Sequence, residues 1–229
     1  MTILQMNYNV YKGRNFMKNI ILFGLSFFIL LTIEIKTINA ADIELPNPSK
    51  KFQVDLGEAL EQRKSAEKIT NKEISLENLS TVLWAAIGIN REDGRRTAPM
   101  AFNKDYIKIY VVMENAVYLY NPKKNLLKQI VEKNLKKNIA NTKLAETAPV
   151  SILITADISE FPFYVKNNLR VMYAHANAGC VAQNIYLAAA ALKLETRMIG
   201  YIKENDIIKE LNLQKNEIPL YVMPLGYSG

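Results

Sequence analysis

The stretch Ala178-Gly-Cys-Val-Ala-Gln-Asn-Ile-Tyr-Leu-Ala-Ala-Ala190 lies in the longest helix that the sequence predicts, from Tyr173 to Leu192. Further alanines stand at positions 174, 176 and 191 of the same helix. Small side chains on a helix allow a second helix to approach closely. We therefore expect this helix to lie at the centre of the fold or at a subunit interface.

Helices and strands are mixed along the chain on both sides of this helix, which predicts an α+β protein. Capping residues Asp55 and Ser75 begin two helices, and apolar runs on both sides of Glu114-Asn115 predict a hairpin. The mostly polar segment 123–148 predicts partly helical structure around Leu135 and Ile139. The other predicted elements are helices at 55–65, 75–87 and 206–211 and strands at 107–113, 116–120, 150–155, 197–202 and 220–224.

Composition favours an ordinary globular protein with one domain. The chain has 229 residues, 49% of them apolar and 22% charged, which is enough for one sizeable core. Its formal charge of +7 falls to +4 without residues 1–40, where Lys12, Arg14, Lys18 and Lys36 face only Glu34. The remaining lysines alternate with acidic and amide residues, so we expect a solvated surface and no nucleic-acid binding.

The chain has one cysteine, Cys180, and one histidine, His175. A single cysteine excludes an intrachain disulfide and a cysteine-rich metal site. One imidazole leaves few partners for a zinc cluster or a Ser-His-Asp triad. We therefore expect no metal, a buried Cys180 and a structural or cofactor-neighbouring His175.

The N-terminal segment has the pattern of a signal peptide. Residues 20–33 are apolar or small, Met17-Lys18-Asn19 precedes them, and Ala40 offers a cleavage point. We predict a signal peptide at 1–40, with Met17 as a possible true start, and a folded domain at 41–229. An uncleaved membrane anchor at 20–33 is the alternative. Both interpretations place the domain outside the cytoplasm, in the periplasm or an equivalent compartment.

Four short motifs follow one another along the predicted domain. Arg63-Lys64-Ser65 follows the first helix and offers two cations and a hydroxyl, which are suitable donors for a phosphate. Gly94-Arg-Arg-Thr-Ala-Pro-Met-Ala-Phe-Asn103 forms a loop before the hairpin. The long helix continues into Leu194-Glu-Thr-Arg-Met-Ile-Gly200, and the last strand reads Leu220-Tyr-Val-Met-Pro-Leu-Gly226.

In this order and spacing, the motifs resemble those of the nitroreductase family, in particular its branch of thiazole- and oxazole-forming peptide dehydrogenases. The resemblance implies a central mixed or antiparallel sheet flanked by helices, in an intertwined homodimer. It also implies an oxidoreductase that uses flavin mononucleotide (FMN). A donor such as NAD(P)H gives a hydride to flavin N5, and the reduced ring passes electrons to a small organic acceptor. No side chain has to act as a nucleophile, so no catalytic residue is expected.

The resemblance also implies which residues bind the cofactor. The first motif would hold the phosphate and ribityl chain, and the second would come from the other subunit and lie against the flavin. The backbone of the loop after the long helix would face N5. The inferred flavin-binding residues are Arg63, Lys64, Ser65, Pro99, Met100, Ala101, Asn103, Ile199 and Gly200.

Some positions depart from the family pattern. Glu67 replaces a basic residue, with Lys68 beside it, Met100 replaces a serine, and no basic residue follows Gly226 in this sequence. Glu195 also stands where many relatives have glycine. The first three changes weaken the flavin site, so a noncatalytic member that keeps the dimeric fold as a binding or scaffold protein is the alternative. A membrane-associated protein of unrelated α+β fold is a third interpretation.

Overall fold

The computed structural model describes residues 42–229, which fall within one compact unit, Ala41–Gly229. The predicted signal peptide, the possible start at Met17 and the alternative anchor at 20–33 lie outside the described residues. No helix of the described residues is long and apolar enough to cross a membrane.

Seven strands form one sheet in the order β1-β4-β3-β2-β5-β7-β6, and every neighbouring pair is antiparallel. The α+β class and the sheet flanked by helices are confirmed, and the sheet is antiparallel throughout. The strands are β1 (Ile43–Glu44), β2 (Ile107–Val112), β3 (Val117–Asn121), β4 (Leu126–Val131), β5 (Val150–Asp157), β6 (Glu195–Thr196) and β7 (Glu217–Gly226).

The central strands carry an apolar core on each face of the sheet. Successive side chains of a strand point to opposite faces, and β2 shows this directly. Ile109 and Val111 join the larger cluster, whereas Tyr110 and Val112 join the smaller one. In β5 every residue from 150 to 156 is buried. This double burial explains why its sequence is a continuous apolar run rather than an alternating one.

The helices begin largely where the capping residues predict. They are α1 (Leu56–Gln62), α2 (Leu76–Ile87), α3 (Lys136–Ile139), α4 (Lys143–Thr147), α5 (Asn167–Ala191) and α6 (Glu204–Leu211). Asp55 accepts a hydrogen bond from the Glu58 amide at 2.9 Å, and Ser75 accepts one from the Asn78 amide at 3.2 Å. A cap of this kind contributes about 1 kcal/mol. Gly88 ends α2, where a Cβ would lie only 2.3 Å from the Trp84 ring.

The long helix α5 packs against the larger core through its alanines, including Ala174, Ala178 and Ala182. It begins at Asn167, six residues before the predicted start at Tyr173. The reason lies in Arg170, whose guanidinium donates to the carbonyls of 158, 162 and 165 at 2.7–3.1 Å. These bonds fix the turn that precedes the helix.

Two predicted segments differ in the structure. Segment 123–148 contains strand β4 in addition to two short helices. β4 was missed because Lys128 and Gln129 interrupt its apolar pattern, which a strand near the sheet edge tolerates. The predicted strand at 197–202 was wrong, since only residues 195–196 pair continuously with β7. Beyond them, Ile199 forms a single bridge to Val222.

Candidate functional site

The first motif, Arg63-Lys64-Ser65, lies against the C-terminal part of α5, around Tyr186. The Arg63 guanidinium lies 5.4 Å from the centre of the Tyr186 ring. The hydroxyls of Ser65 and Tyr186 are 3.1 Å apart, and the backbone N–H of Met198 donates to the same Tyr186 hydroxyl at 2.8 Å. One tyrosine therefore joins the end of α1 to the loop after α5, which brings the first and third motifs together.

The two cations of the first motif are in different situations. Lys64 forms an ion pair with Glu195 at 3.1 Å, with its own side chain 68% exposed. Glu195 thus stabilises the turn at β6 and pairs with the positive charge of Lys64. Arg63 has no carboxylate within 4 Å among residues 42–229, so its guanidinium is available to an anionic ligand.

The loop after β6 leaves one backbone donor available. The Ile199 N–H donates to the Val222 carbonyl at 2.8 Å, and the Val222 N–H donates back at 3.0 Å. The N–H of Gly200 has no acceptor among the described residues. Of the two positions that the resemblance implies, Gly200 is therefore the one that can donate to a ligand, whereas Ile199 holds the loop against β7.

A histidine–tyrosine pair lies beside Gly200. His175 Nδ1 is 3.0 Å from the Tyr221 hydroxyl, and a Cβ on Gly200 would lie 3.7 Å from the Tyr221 ring. His175 and Tyr186 are eleven positions apart on α5, about three helical turns, so both point to the same flank of the helix. This flank thus carries Tyr186, His175 and the loop that ends at Gly200.

Two further lysines lie near the end of the chain. Thr70 donates to the Tyr227 carbonyl from its N–H at 2.9 Å and from its hydroxyl at 3.2 Å. This contact places Lys72 Nζ 4.5 Å from the centre of the Tyr227 ring. A Cβ on Gly229 would lie 3.4 Å from the Cβ of Lys68. Lys68 and Lys72 therefore place positive charge beside the residues that follow β7.

The second motif lies elsewhere, near the N-terminal half of α5. The Ala101 N–H donates to Asn177 Oδ1 at 3.0 Å and to the Tyr106 hydroxyl at 3.2 Å, and the Tyr106 hydroxyl donates to Asn177. Burial raises the pKa of Tyr106, so this hydroxyl keeps its proton. Phe102 and Asn103 follow with φ of 58° and 54°, a conformation that costs about 1–2 kcal/mol per residue.

The strained turn exposes part of the loop and buries another part. Asn103 is exposed, and its side chain has no hydrogen-bond partner among the described residues, so its amide is available. Pro99 is exposed as well. Met100 and Ala101, by contrast, pack against the larger core. Met100 therefore contributes to packing in this chain.

Aromatic rings surround the same loop. Phe102 makes edge contacts with Phe161 at 5.9 Å and Tyr173 at 5.5 Å between ring centres. Phe161 is buried and stacks on the core, whereas Phe163 is 94% exposed and Tyr164 is also exposed. Phe161 therefore covers the core.

The two halves of the inferred site lie on different flanks of α5. Asn177 holds the second motif, and Tyr186 holds the first and third. They are nine positions apart on α5, about two and a half turns and roughly 14 Å along the axis, so they point to opposite flanks. Between the flanks runs a stripe of α5 formed by Met172, Ala176, Gly179, Gln183 and Leu187. Its Met172, Ala176 and Gln183 side chains are exposed, so the described chain leaves this stripe largely uncovered.

A groove extends this uncovered stripe. Its volume is about 360 Å³, and α1, α2 and α5 line it with mostly apolar side chains. Leu56 at its edge is exposed. The groove includes Phe52, Trp84, Leu187 and Ala191.

The residues that sequence reasoning missed are Tyr186 and Tyr221. Tyr186 belongs to a motif that was interpreted as architectural, yet it contacts Ser65, 121 positions away. The only feature of the sequence that pointed to Tyr186 was its position among small and amide residues of the long helix. Tyr221 had no signal, because its contact with His175 depends on how β7 passes α5.

Comparisons with known proteins identify the family and its fold. Residues 60–227 match the sequence model of the nitroreductase family. A nitroreductase homologue of Methanocaldococcus jannaschii is 30% identical over 195 residues, which are 81% of this chain and 96% of that protein. A crystal structure of a nitroreductase homologue from Ralstonia eutropha covers 82% of this chain and 90% of that one, with 27% identity and a TM-score of 0.77.

A more distant structure shares the fold. A chain of the E. coli McbBCD microcin synthetase complex has a TM-score of 0.66 and 17% identity, covering 86% of this chain and 83% of that one. At this identity, the likeness concerns the fold alone.

Proposed function

The chain belongs to the nitroreductase family, and we propose that it is an oxidoreductase that uses flavin mononucleotide. The observation that carries the proposal is the cluster around Tyr186, where Arg63 and the Gly200 N–H are both available to a ligand. A flavin nucleotide needs a cation for its phosphate and a donor for its ring edge. The flank of α5 that carries Tyr186 offers one of each.

The phosphate end of the cofactor fits the basic side of this flank. Arg63 supplies a planar fork of N–H donors, which matches phosphate oxygens well. Stacking on Tyr186 orders this side chain before a ligand arrives, so less entropy is lost on binding. Ser65 adds a hydroxyl, and Lys68 and Lys72 add charge next to the end of the chain.

The ring end fits the loop at Gly200. When bound, a flavin supplies the chemistry of accepting and donating a hydride at N5. The protein holds a backbone donor in position there, because the Ile199–Val222 pair anchors the loop to β7. Tyr221 lies beside this donor and is bonded to His175. Asn103 on the second motif offers an amide for the other edge of the ring.

The substrates we propose are a nicotinamide dinucleotide as donor and a small organic molecule as acceptor. Members of this family generally use flavin and NAD(P)H, and the protein's part is to bind both molecules in turn at one cleft.

The second half of this proposal is a homodimer. The second motif and the Tyr186 cluster point to opposite flanks of α5, so a complete site needs the loop of another copy. The uncovered stripe and the neighbouring apolar groove offer a surface for that copy. Ala176 and Gly179 of this stripe permit close helix packing.

We also propose that the protein is exported. Residues 1–40 have the pattern of a signal peptide, and the alternative is an anchor at 20–33. In an exported protein the donor can be a membrane or periplasmic reductant, since nicotinamide cofactors are scarce outside the cytoplasm. Pulse labelling in the native host would distinguish cleavage from anchoring by the size of the mature chain.

A noncatalytic scaffold is the second candidate, and specific observations favour it. Lys64 is paired with Glu195, and Met100 packs into the core where relatives have a serine. Thermal unfolding of the full-length protein with and without FMN separates the two functions. FMN at 100 times its dissociation constant adds about 2.7 kcal/mol of stability, whereas a scaffold without the site shows no shift.

A further inference from the structure

The second motif lines much of a basic cavity, which shares no residue with the cluster around Tyr186. Its volume is about 490 Å³, within the range of about 300–1,000 Å³ that holds small molecules. The loop between α2 and β2 forms most of its wall, and Lys123 closes it from the turn between β3 and β4. Its charged lining residues are Arg91, Asp93, Arg95, Arg96, Lys104, Asp105 and Lys123.

This lining has more positive than negative charge. Arg95 pairs with Asp93 at 3.0 Å, and Arg96 pairs with Asp105. The other three cations have no carboxylate within 4 Å among residues 42–229, so the cavity carries a net charge of three positive units. These three cations are Arg91, Lys104 and Lys123.

The wall of the cavity is held in place before any ligand binds. Ile89 and Arg96 form a β-bridge, and Gly94, with φ of 81°, closes the turn between them. Arg96 is only 8% exposed and donates to the Ile87 carbonyl at 3.2 Å. Arg91 donates to the Arg96 carbonyl and to its neighbour Asn90, both at 3.0 Å. A fixed guanidinium loses little entropy when an anion binds.

The cavity is continuous with the flavin-facing loop. Pro99, Met100 and Asn103 line it together with the cations. A ligand that reaches Asn103 with an uncharged ring can therefore place an acidic group among Arg91, Lys104 and Lys123. We propose that this cavity is an anion subsite, which binds a phosphate or carboxylate of the molecule that exchanges electrons at the proposed flavin site. This inference rests on the proposed function for the identity of that molecule.

The test uses inorganic pyrophosphate as the probe and the full-length protein saturated with FMN. Isothermal titration calorimetry measures its affinity for the wild type and for the double variant Lys104→Gln/Lys123→Gln. Neither lysine side chain makes a bond within the described residues, so the loop keeps its contacts. The matched control is Lys143→Gln/Lys209→Gln, which removes the same charge from exposed sites elsewhere. One charge pair at about 4–6 Å in water contributes roughly three- to fivefold to affinity. With two lysines replaced, we therefore expect the test variant to bind pyrophosphate about tenfold more weakly than the wild type. The control variant should bind pyrophosphate as the wild type does.

Turnover then separates the two sources of the anion. With an uncharged nitroaromatic acceptor, a raised KM for NADH and an unchanged kcat in the test variant would identify the dinucleotide phosphates. A raised KM confined to a carboxylated nitroaromatic would identify an acidic acceptor. Either result supports the subsite, and an unchanged KM for both ligands would overturn its role in turnover.

Two outcomes of the calorimetric titration would contradict the proposed subsite. No heat of binding with the wild type, or an equal loss in the control variant, would overturn the subsite. A colourless protein after purification with FMN would count against the proposed function instead. The pyrophosphate titration can still be completed on that protein, so the two failures are distinguishable.

Discussion

Replacing Arg63 with glutamine should weaken FMN binding and leave riboflavin binding nearly unchanged. Arg63 is the cation of the first motif without a carboxylate partner among the described residues, and it is stacked on Tyr186. A hydrogen bond to a charged group is worth about 1.5–3 kcal/mol, which corresponds to roughly a 10- to 150-fold change in Kd. Riboflavin lacks the phosphate, so its affinity does not include this interaction.

The matched control is Lys64→Gln, one position away. Lys64 is exposed and already paired with Glu195 at 3.1 Å. Exposed ion pairs contribute about 0–1 kcal/mol, so the FMN affinity of this variant should fall less than about fivefold. Quenching of flavin fluorescence measures the affinities of the wild type and of both variants for FMN and for riboflavin. Equal losses for the two ligands in Arg63→Gln, or a larger loss in Lys64→Gln, would refute the assignment of Arg63 to the phosphate.

Three other predictions concern stability, pH and assembly. Glu217 is 4% exposed and accepts from Tyr110, Thr155 and Lys108 at 2.6–2.9 Å, so Glu217→Gln should lower the free energy of unfolding by about 2–3 kcal/mol. Urea unfolding checks this against Glu210→Gln, where a loss below about 1 kcal/mol is expected; equal losses would contradict it. Although burial opposes it, the hydrogen bonds from Ser159 and the charge of Lys108 lower the pKa of Asp157. Ionised Asp157 therefore stabilises the folded state fully above its unfolded pKa of 3.8, and this stabilisation is lost as the pH falls through the lower folded pKa. The free energy of unfolding of Asp157→Asn should consequently fall less steeply with acid below about pH 4 than that of the wild type. Gly179→Glu, at a position where a Cβ meets nothing within 4 Å, should give a folded monomer by gel filtration and circular dichroism, and a persistent dimer would argue against the α5 interface.

The helices and strands that the sequence predicts best are those whose residue pattern is set by one dominant interaction. β5 is buried on both faces, so its sequence is mostly apolar without alternation and predicts a buried strand. Asp55 and Ser75 satisfy backbone donors at two helix starts, and both starts were predicted correctly. β4 was missed because Lys128 and Gln129 are compatible with both a polar helix and a strand near the sheet edge.

The site was only partly predictable, because its contacts join distant parts of the chain. The resemblance placed Arg63 and Gly200 in one site, and the structure brings them to one flank of α5 through Tyr186. It could not tell Ile199 from Gly200 as a donor, since that depends on the Ile199 bond to Val222. The pairing of Lys64 with Glu195 likewise depends on the turn at β6.

The most direct test of the account is the absorption spectrum of the full-length protein purified with added FMN. Gel filtration removes free cofactor before the spectrum is recorded, and the same column reports the oligomeric state. The proposed flavin site and α5 interface predict a dimer that retains the visible band of flavin at about one FMN per chain. A colourless dimer would contradict the flavin site and favour the scaffold, whereas a colourless monomer would contradict both the site and the interface.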